Sequence, residues 1–175
     1  IHGSQAIGGI VSISTKHKTL QDSLSVGLGI GPDNYHKEYL RGNLLKENTS
    51  VNLIAVNGKT TGFPVLSDST LNRGHKNRSI AGDISYGYKG LESSFSLWSS
   101  KGTTEYLVFG SPVSQDYKNE AFAVDLKFIT KQDYYILANI NSSEDLINQN
   151  NENYLGILDL TQTQRQSYEL LVHKK

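Results

Sequence analysis

The chain has 175 residues with 17 Lys and Arg against 17 Asp and Glu, a length that fits one compact domain or one modest barrel. Zero net charge argues against nucleic acid as a partner, because binding to phosphate backbones needs an excess of clustered Lys and Arg. The absence of Cys excludes a disulfide scaffold, a zinc site built on thiolates and a cysteine nucleophile.

The first predicted element is a glycine-rich turn followed by a short strand within residues 1–17. Gly8 and Gly9 permit positive φ and close backbone approach, which other residues adopt only at a cost. Val11 and Ile13 then share one face, as alternate residues of a strand do. The segment lacks the Lys-Ser or Lys-Thr pair of a phosphate-binding loop, so no nucleotide site is predicted here.

The rest of the chain shows apolar and polar residues in alternation, the period of a strand with two different faces. The alternating runs are, in order, Leu20–Ile30, Leu40–Leu44, Val51–Val56, Ile80–Tyr88, Leu91–Leu97, Phe122–Phe128, Tyr134–Ile140 and Tyr168–Val172. They predict eight antiparallel strands of roughly 9–13 residues. Mean soluble strands have ~5–6 residues, whereas strands that cross a membrane have ~9–11.

The connections between these runs are predicted to alternate in length. Short turns are expected at 46–49, 89–90 and 130–133, and long polar loops at 58–78, 102–116 and 141–161. Short turns at one end and long loops at the other are typical of outer-membrane β-barrels. Aromatic residues near the strand ends would form the girdles of such a barrel: Tyr35, Tyr39, Tyr86, Tyr88, Trp98, Tyr134, Tyr135 and Tyr168. A soluble β-domain is the alternative.

The glycine-rich opening segment also resembles a known motif, formed by Gly3, Ser4, Ala6, Ile7, Gly8, Gly9 and Ile13. It is similar to the end of the plug domain of TonB-dependent outer-membrane receptors, just before the first barrel strand. Downstream, the resemblance is greatest to the cobalamin-receptor branch, through Asp33-Asn34-Tyr35, the turn 46–49, Val51-Asn52-Leu53-Ile54, Thr61-Gly62 and Gly110-Ser111-Pro112.

The resemblance implies two regions, the C-terminal end of a plug domain at 1–17 and the first strands of an outer-membrane β-barrel at 18–175. Family members are plugged barrels of 22 strands, so we expect an all-β fragment: part of an antiparallel transmembrane barrel, about eight strands, behind a plug end. A terminal aromatic is typical of such barrels, and the present sequence ends in His173-Lys174-Lys175.

The implied function is uptake of a scarce nutrient complex, such as cobalamin or a siderophore, across the outer membrane of a Gram-negative bacterium. The implied partners are outer-membrane lipid and lipopolysaccharide, the small-molecule nutrient, and TonB, whose contact segment is not in this sequence. The resemblance implies neither enzymatic activity nor a cofactor. The alternative is a self-contained eight-stranded outer-membrane barrel that serves as an adhesion or anchoring module, or as an enzyme with a site at its rim.

Candidate ligand-binding residues lie in the predicted loop 58–78. Asp68, Arg73, His75 and Arg78, together with Lys76, form a largely positive patch that suits lipopolysaccharide phosphates or an anionic ligand. Ser67, Asp68 and His75 are the only rim residues that imitate a hydrolase triad, and their polarity fits an ordinary loop equally well, so no catalytic residue is predicted.

No metal site is predicted either, because the five His are scattered without ligand spacing. The cobalamin-receptor branch binds calcium through a cluster of Asp in this region. Here the sequence offers Asp68 and Asn72, so calcium binding is not carried over.

Four charged residues are predicted on the polar faces of their strands, pointing into a barrel towards its plug: Asp83, Glu92, Asp125 and Lys127. Charge facing lipid at the bilayer midplane costs about 2–4 kcal/mol for Lys. Asp22 falls on an apolar face and is therefore expected near the membrane rim.

Overall fold

The computed structural model describes residues 21–66, 70–130, 134–151 and 157–174. The predicted plug-end region 1–17, with its motif from Gly3 to Ile13, lies outside the described residues. Ser67 and Asp68 lie outside them as well.

The described residues form eight strands, and consecutive strands pair antiparallel to give a single sheet in the order of the sequence. The strands are β1 (Ser23–Gly31), β2 (Tyr35–Lys46), β3 (Thr49–Pro64), β4 (Asn72–Tyr88), β5 (Leu91–Val108), β6 (Ser111–Ile129), β7 (Tyr134–Asn151) and β8 (Ile157–Lys174). No helix long and apolar enough to cross a membrane occurs in this part of the chain. The prediction of an all-β antiparallel architecture with eight strands is confirmed.

The sheet is not closed. Among the described strands, β1 pairs with β2 alone and β8 with β7 alone, so each leaves one edge without a partner strand. The two edges also differ in length, since β1 has 9 residues and β8 has 18.

The predicted strand length of 9–13 residues holds for β1 and β2 but is too short from β3 onward, and the predicted long loops are wrong. From β3 onward each strand has between 16 and 19 residues. Residues 58–64 belong to β3 and 72–78 to β4, which leaves 65–71 as the connection. The expected loop 102–116 is a two-residue turn, in which Phe109 and Gly110 have φ of 50° and 80°. A strand ladder is made of backbone hydrogen bonds, so polar residues extend it without any apolar alternation.

The pairing register places most of the apolar side chains of the eight strands on one face, in a continuous strip that we call the apolar band. Its members are Leu24, Val26, Leu28, Ile30, Leu40, Leu44, Val51, Leu53, Ala55, Ile80, Ile84, Tyr86, Tyr88, Leu91, Phe95, Leu97, Phe122, Val124, Leu126, Phe128, Ile136, Ala138, Ile140, Tyr168, Leu170 and Val172. The opposite side of the sheet, which we call the polar face, is rich in Ser, Asn, Asp and Gly.

No second layer covers the apolar band in the described structure. Leu28 is 81% exposed, Ile84 50% and Phe122 45%. Val113 is the one buried hydrophobic residue among the described residues, at 1% exposure. The sheet therefore lacks a hydrophobic core of the usual kind, in which two layers bury their apolar sides against each other.

The eight aromatic residues expected in girdles do not share one face, because residues next to each other on a strand point to opposite faces. Tyr86, Tyr88, Tyr134 and Tyr168 lie on the side of the apolar band. The other four, Tyr35, Tyr39, Trp98 and Tyr135, lie on the polar face.

A bulge in β3 ties the first turn to the body of the sheet. The register shifts between Thr60 and Phe63, and Gly62 there has a φ of 67°. The backbone N–H of Thr61 donates to the carbonyl of Asp33 at 2.9 Å, and the Thr60 and Thr61 hydroxyls donate to the same oxygen at 3.0 and 2.7 Å. Gly62 thus lies in the bulge through which β3 contacts the β1–β2 turn.

Replacing Gly62 with Ala should destabilise the sheet. A Cβ at this position would lie 1.7 Å from the carbonyl oxygen of Arg73, and the positive φ is itself strained for Ala. We expect a loss of about 1–3 kcal/mol in the free energy of unfolding, measured by urea titration of the purified protein. Gly29→Ala is the control, because its nearest contact would be an ordinary 3.6 Å. Equal stability of the two variants would contradict the bulge geometry.

Candidate functional site

The candidate site is the polar face, where side chains are linked by hydrogen bonds from strand to strand. Near the β1 edge, the Asn43 amide donates to the Ser23 hydroxyl at 2.7 Å. Between β3 and β4, the Asn52 amide donates to Asp83 at 2.9 Å. Each bond joins residues that face each other directly in the register, so the pairing of the backbones determines which polar groups meet.

The longest chain of such bonds crosses four strands, β5 to β8, with Asp125 near its start. The Ser94 hydroxyl donates to Asp125 at 2.9 Å, and the Asn139 amide donates to the other carboxylate oxygen. The Asn141 amide then donates to Asn139 at 2.8 Å, and the Ser167 hydroxyl donates to Asn141 at 2.6 Å. This chain holds a carboxylate on the polar face through two neutral donors.

Charges predicted for the polar face are found there. Asp83, Glu92, Asp125 and Lys127 share this face in the register, and Lys127 forms an ion pair with Glu92 at 3.0 Å. Asp22 lies just before β1 and accepts a hydrogen bond of 2.6 Å from the Leu45 backbone N–H, one residue before the end of β2. Its carboxylate is therefore at the end of the sheet with the short turn 47–48.

A second polar cluster is centred on the Asn77 side-chain oxygen, on the part of β4 that continues beyond the apolar band. This oxygen accepts hydrogen bonds from Ser79, Ser100 and Tyr117, each at 3.1 Å. Ser100 is 6% exposed. Burial raises the pKa of the Tyr117 phenol above its ordinary value, partly offset by its hydrogen bond with Ser100. The phenol therefore stays protonated and continues to donate.

His75 joins this cluster through its ring. It stacks on Tyr117 with ring centroids 6.4 Å apart and an interplanar angle of 12°, and its Nδ1 lies 3.1 Å from the Thr104 hydroxyl. The cluster thus presents an aromatic pair beside amide and hydroxyl groups, which suits a polar organic molecule or a polar protein surface.

The three predicted ligand-binding residues that the structure describes are not in a loop, and they do not share one face of the sheet. Arg73, His75 and Arg78 all lie within β4. Arg73 and His75 are on the polar face, whereas Arg78 points to the side of the apolar band, since its position differs from theirs by an odd number of residues. Ligand binding by these residues remains a prediction, as does binding by Asp68.

Sequence patterns did not indicate Asn77, Tyr117 or Thr104. The one signal is that Tyr117 faces Gly102 across β5 and β6, so that a Cβ on Gly102 would lie 2.6 Å from the phenol oxygen. This pairing depends on the strand register, so it cannot be recognised from the sequence alone. No group of three potential metal ligands occurs among the residues that the structure describes.

Comparison with known proteins adds no family to this geometry. The chain matches no protein-family model, and no curated protein matches it.

Asn77→Ala should destabilise the polar cluster because three donors lose their shared acceptor. We expect a loss of about 1–3 kcal/mol in the free energy of unfolding, measured by denaturant titration. Asn119→Ala is the control, because Asn119 is on the same face of the sheet without a side-chain hydrogen bond to other described residues. If Asn77→Ala lowers the free energy of unfolding no more than the control does, Asn77 is not the central acceptor of the cluster.

Proposed function

We propose that this chain is part of a TonB-dependent outer-membrane receptor, which takes up a scarce nutrient complex of the cobalamin or siderophore type. The observation that carries the proposal is the apolar band, an exposed apolar face on eight consecutive strands with a hydrogen-bonded polar face behind it. The resemblance of the segment 1–17 to a plug end adds the transport function to this architecture.

The apolar band is the first reason to place the sheet in a membrane. Apolar surface in contact with water costs ~25 cal/mol per Å², and soluble monomers rarely expose a contiguous apolar patch above a few hundred Å². In β4 the band runs over the nine residues from Ile80 to Tyr88, about 26 Å along the strand at ~3.3 Å per residue. That length fits a membrane strand of ~9–11 residues.

The open edges favour a large barrel over a self-contained one of eight strands. Hydrocarbon does not tolerate unpaired backbone groups, so both edges need partner strands inside a bilayer. Closure on itself would pair the 9 residues of β1 with the 18 of β8 and leave half of β8 unmatched. Additional strands at each edge, as in a receptor barrel of 22 strands, satisfy both edges without this mismatch.

The polar face would then line the interior of the barrel and meet the plug. Its amides, hydroxyls and paired charges suit contact with water or with a polar protein surface. In this arrangement the protein binds outer-membrane lipid on its outside, the nutrient complex on its inside and TonB through a segment outside this sequence. Neither an enzymatic reaction nor a cofactor is part of the proposal.

Membrane placement predicts that charge is tolerated on one face only. Leu97→Arg puts a cation in the middle of the apolar band, at a cost of about 2–4 kcal/mol if that face meets lipid. Ser96→Arg is the matched control on the polar face. We expect Leu97→Arg to reduce the amount of heat-modifiable, protease-resistant protein in outer-membrane fractions, with little change for Ser96→Arg. Equal behaviour of the two variants would contradict membrane placement.

The transport function is tested by uptake of radiolabelled cobalamin and of ferric siderophores in cells that lack the gene. We expect one of these substrates to enter only when the full-length gene is restored and TonB is present. Loss of uptake after addition of a protonophore is the energy control. Uptake that is independent of both the gene and TonB for every substrate tested would contradict the receptor function while leaving membrane placement intact.

A further inference from the structure

Five cations lie on the same face as the apolar band, beyond its last apolar residues and away from the short turns. We call them the basic row: Lys59 on β3, Lys76 and Arg78 on β4, Lys101 on β5 and Lys118 on β6. On β4, Arg78 lies two residues before Ile80, the nearest residue of the band. On β5, Lys101 lies four residues after Leu97. The basic row therefore borders the band directly.

The register sets these cations against each other. Lys59 is directly opposite Lys76, and Lys101 is directly opposite both Arg78 and Lys118. Residues directly opposite on neighbouring strands have Cβ atoms about 4.5–5.5 Å apart, and like charges in such pairs are destabilising. These three repulsive pairs on four adjacent strands would destabilise an isolated sheet. Their presence therefore indicates a role for these cations other than stabilising the sheet.

Among the described residues, one of the five cations forms an ion pair with a carboxylate of this face. Lys118 forms an ion pair with Glu120 at 2.9 Å, and this contact raises the pKa of Lys118. The other nearby carboxylates accept hydrogen bonds from neutral donors: Asp116 from Thr103, Glu38 from Asn57, Glu105 from the Gly74 backbone and Glu144 from Gln162 and Gln164. Four cations of the basic row are thus available to an external anion.

Two adjoining depressions connect the basic row with the apolar band. One, of about 540 Å³, is lined by all five cations. The other, of about 670 Å³, is lined by apolar residues of β1 to β4, including Leu28, Leu40 and Ile80, and by polar residues that include Glu38 and Ser99. Asn57, Arg78 and Lys101 line both of them. A basic hollow next to an apolar one matches a molecule with an anionic head and a hydrocarbon tail.

We propose that the basic row binds the phosphate groups of a multiply phosphorylated lipid in the outer leaflet of the membrane. The acyl chain of the lipid lies along the apolar depression. The row crosses four strands, about 14 Å at ~4.8 Å per strand, which is wider than a single phosphate and fits a head group with two. Arg and Lys donate charge-assisted hydrogen bonds to phosphate oxygens, and bound phosphate removes the repulsion between opposite cations. The assignment rests on the membrane placement proposed above.

The test compares lipid capture by three forms of the full-length protein in phosphatidylcholine nanodiscs. The nanodiscs contain either a bis-phosphorylated glycolipid or the same glycolipid with its phosphates removed. Arg78→Gln with Lys101→Gln removes two central cations of the basic row. Lys37→Gln with Arg41→Gln removes the same two residue types from the polar face and is the matched control. Incorporation into nanodiscs, read from the heat-dependent shift on a gel, is recorded separately from lipid affinity.

We expect the bis-phosphorylated glycolipid to bind about tenfold more tightly than its dephosphorylated form. The Arg78→Gln/Lys101→Gln protein should lose this preference and the control should keep it. For protein that enters nanodiscs normally, three results would each overturn the lipid assignment. They are equal affinity for both glycolipids, an unchanged preference in the Arg78→Gln/Lys101→Gln protein, and full competition by inorganic phosphate at equal concentration. Failure of the unsubstituted protein to enter nanodiscs would instead overturn the membrane placement, and the lipid assignment with it.

Discussion

A sheet of one layer has two faces and no interior, and this constraint governs the rest of the structure. Backbone groups between the strands are satisfied by the ladders, apart from those on the outer edges of β1 and β8, but the apolar side chains have no second layer to pack against. In a soluble sandwich the apolar side would be covered by another sheet or by helices. Here the apolar band extends across eight strands, and in the membrane placement proposed above the lipid hydrocarbon would cover it.

The polar face contributes in a different way, by making the register specific. A slip by one residue would move every side chain to the wrong face. The chain of hydrogen bonds through Asp125, Asn139 and Asn141 forms only when β6, β7 and β8 are in the observed alignment. The same is true of Glu92 and Lys127, whose ion pair joins β5 to β6. Stability and specificity are thus divided between the two sides of one sheet.

The number of strands, their antiparallel order and the two-faced character were predictable because a period of two is visible in the sequence. Asp83 and Lys127 were placed on the correct face by the same rule. The extent of the strands was not predictable in this way, because polar residues such as Asn72 and Ser114 pair as well as apolar ones. Because β4 was predicted too short, Arg73, His75 and Arg78 were assigned to a loop. In a loop, alternation cannot tell which side of the sheet a residue is on. Once β4 is extended through them, simple alternation separates His75 from Arg78. The opposition of Lys101 to Arg78 and Lys118 required the register itself.

The unbroken succession of strand neighbours has a consequence for how the sheet is assembled. Every described pairing joins strands that are consecutive in the chain. Forming each pair therefore closes only a short loop, and no described strand pairs with one that is distant in the sequence. The sheet can therefore grow from one end by the addition of single hairpins, with the newest strand as the template for the next.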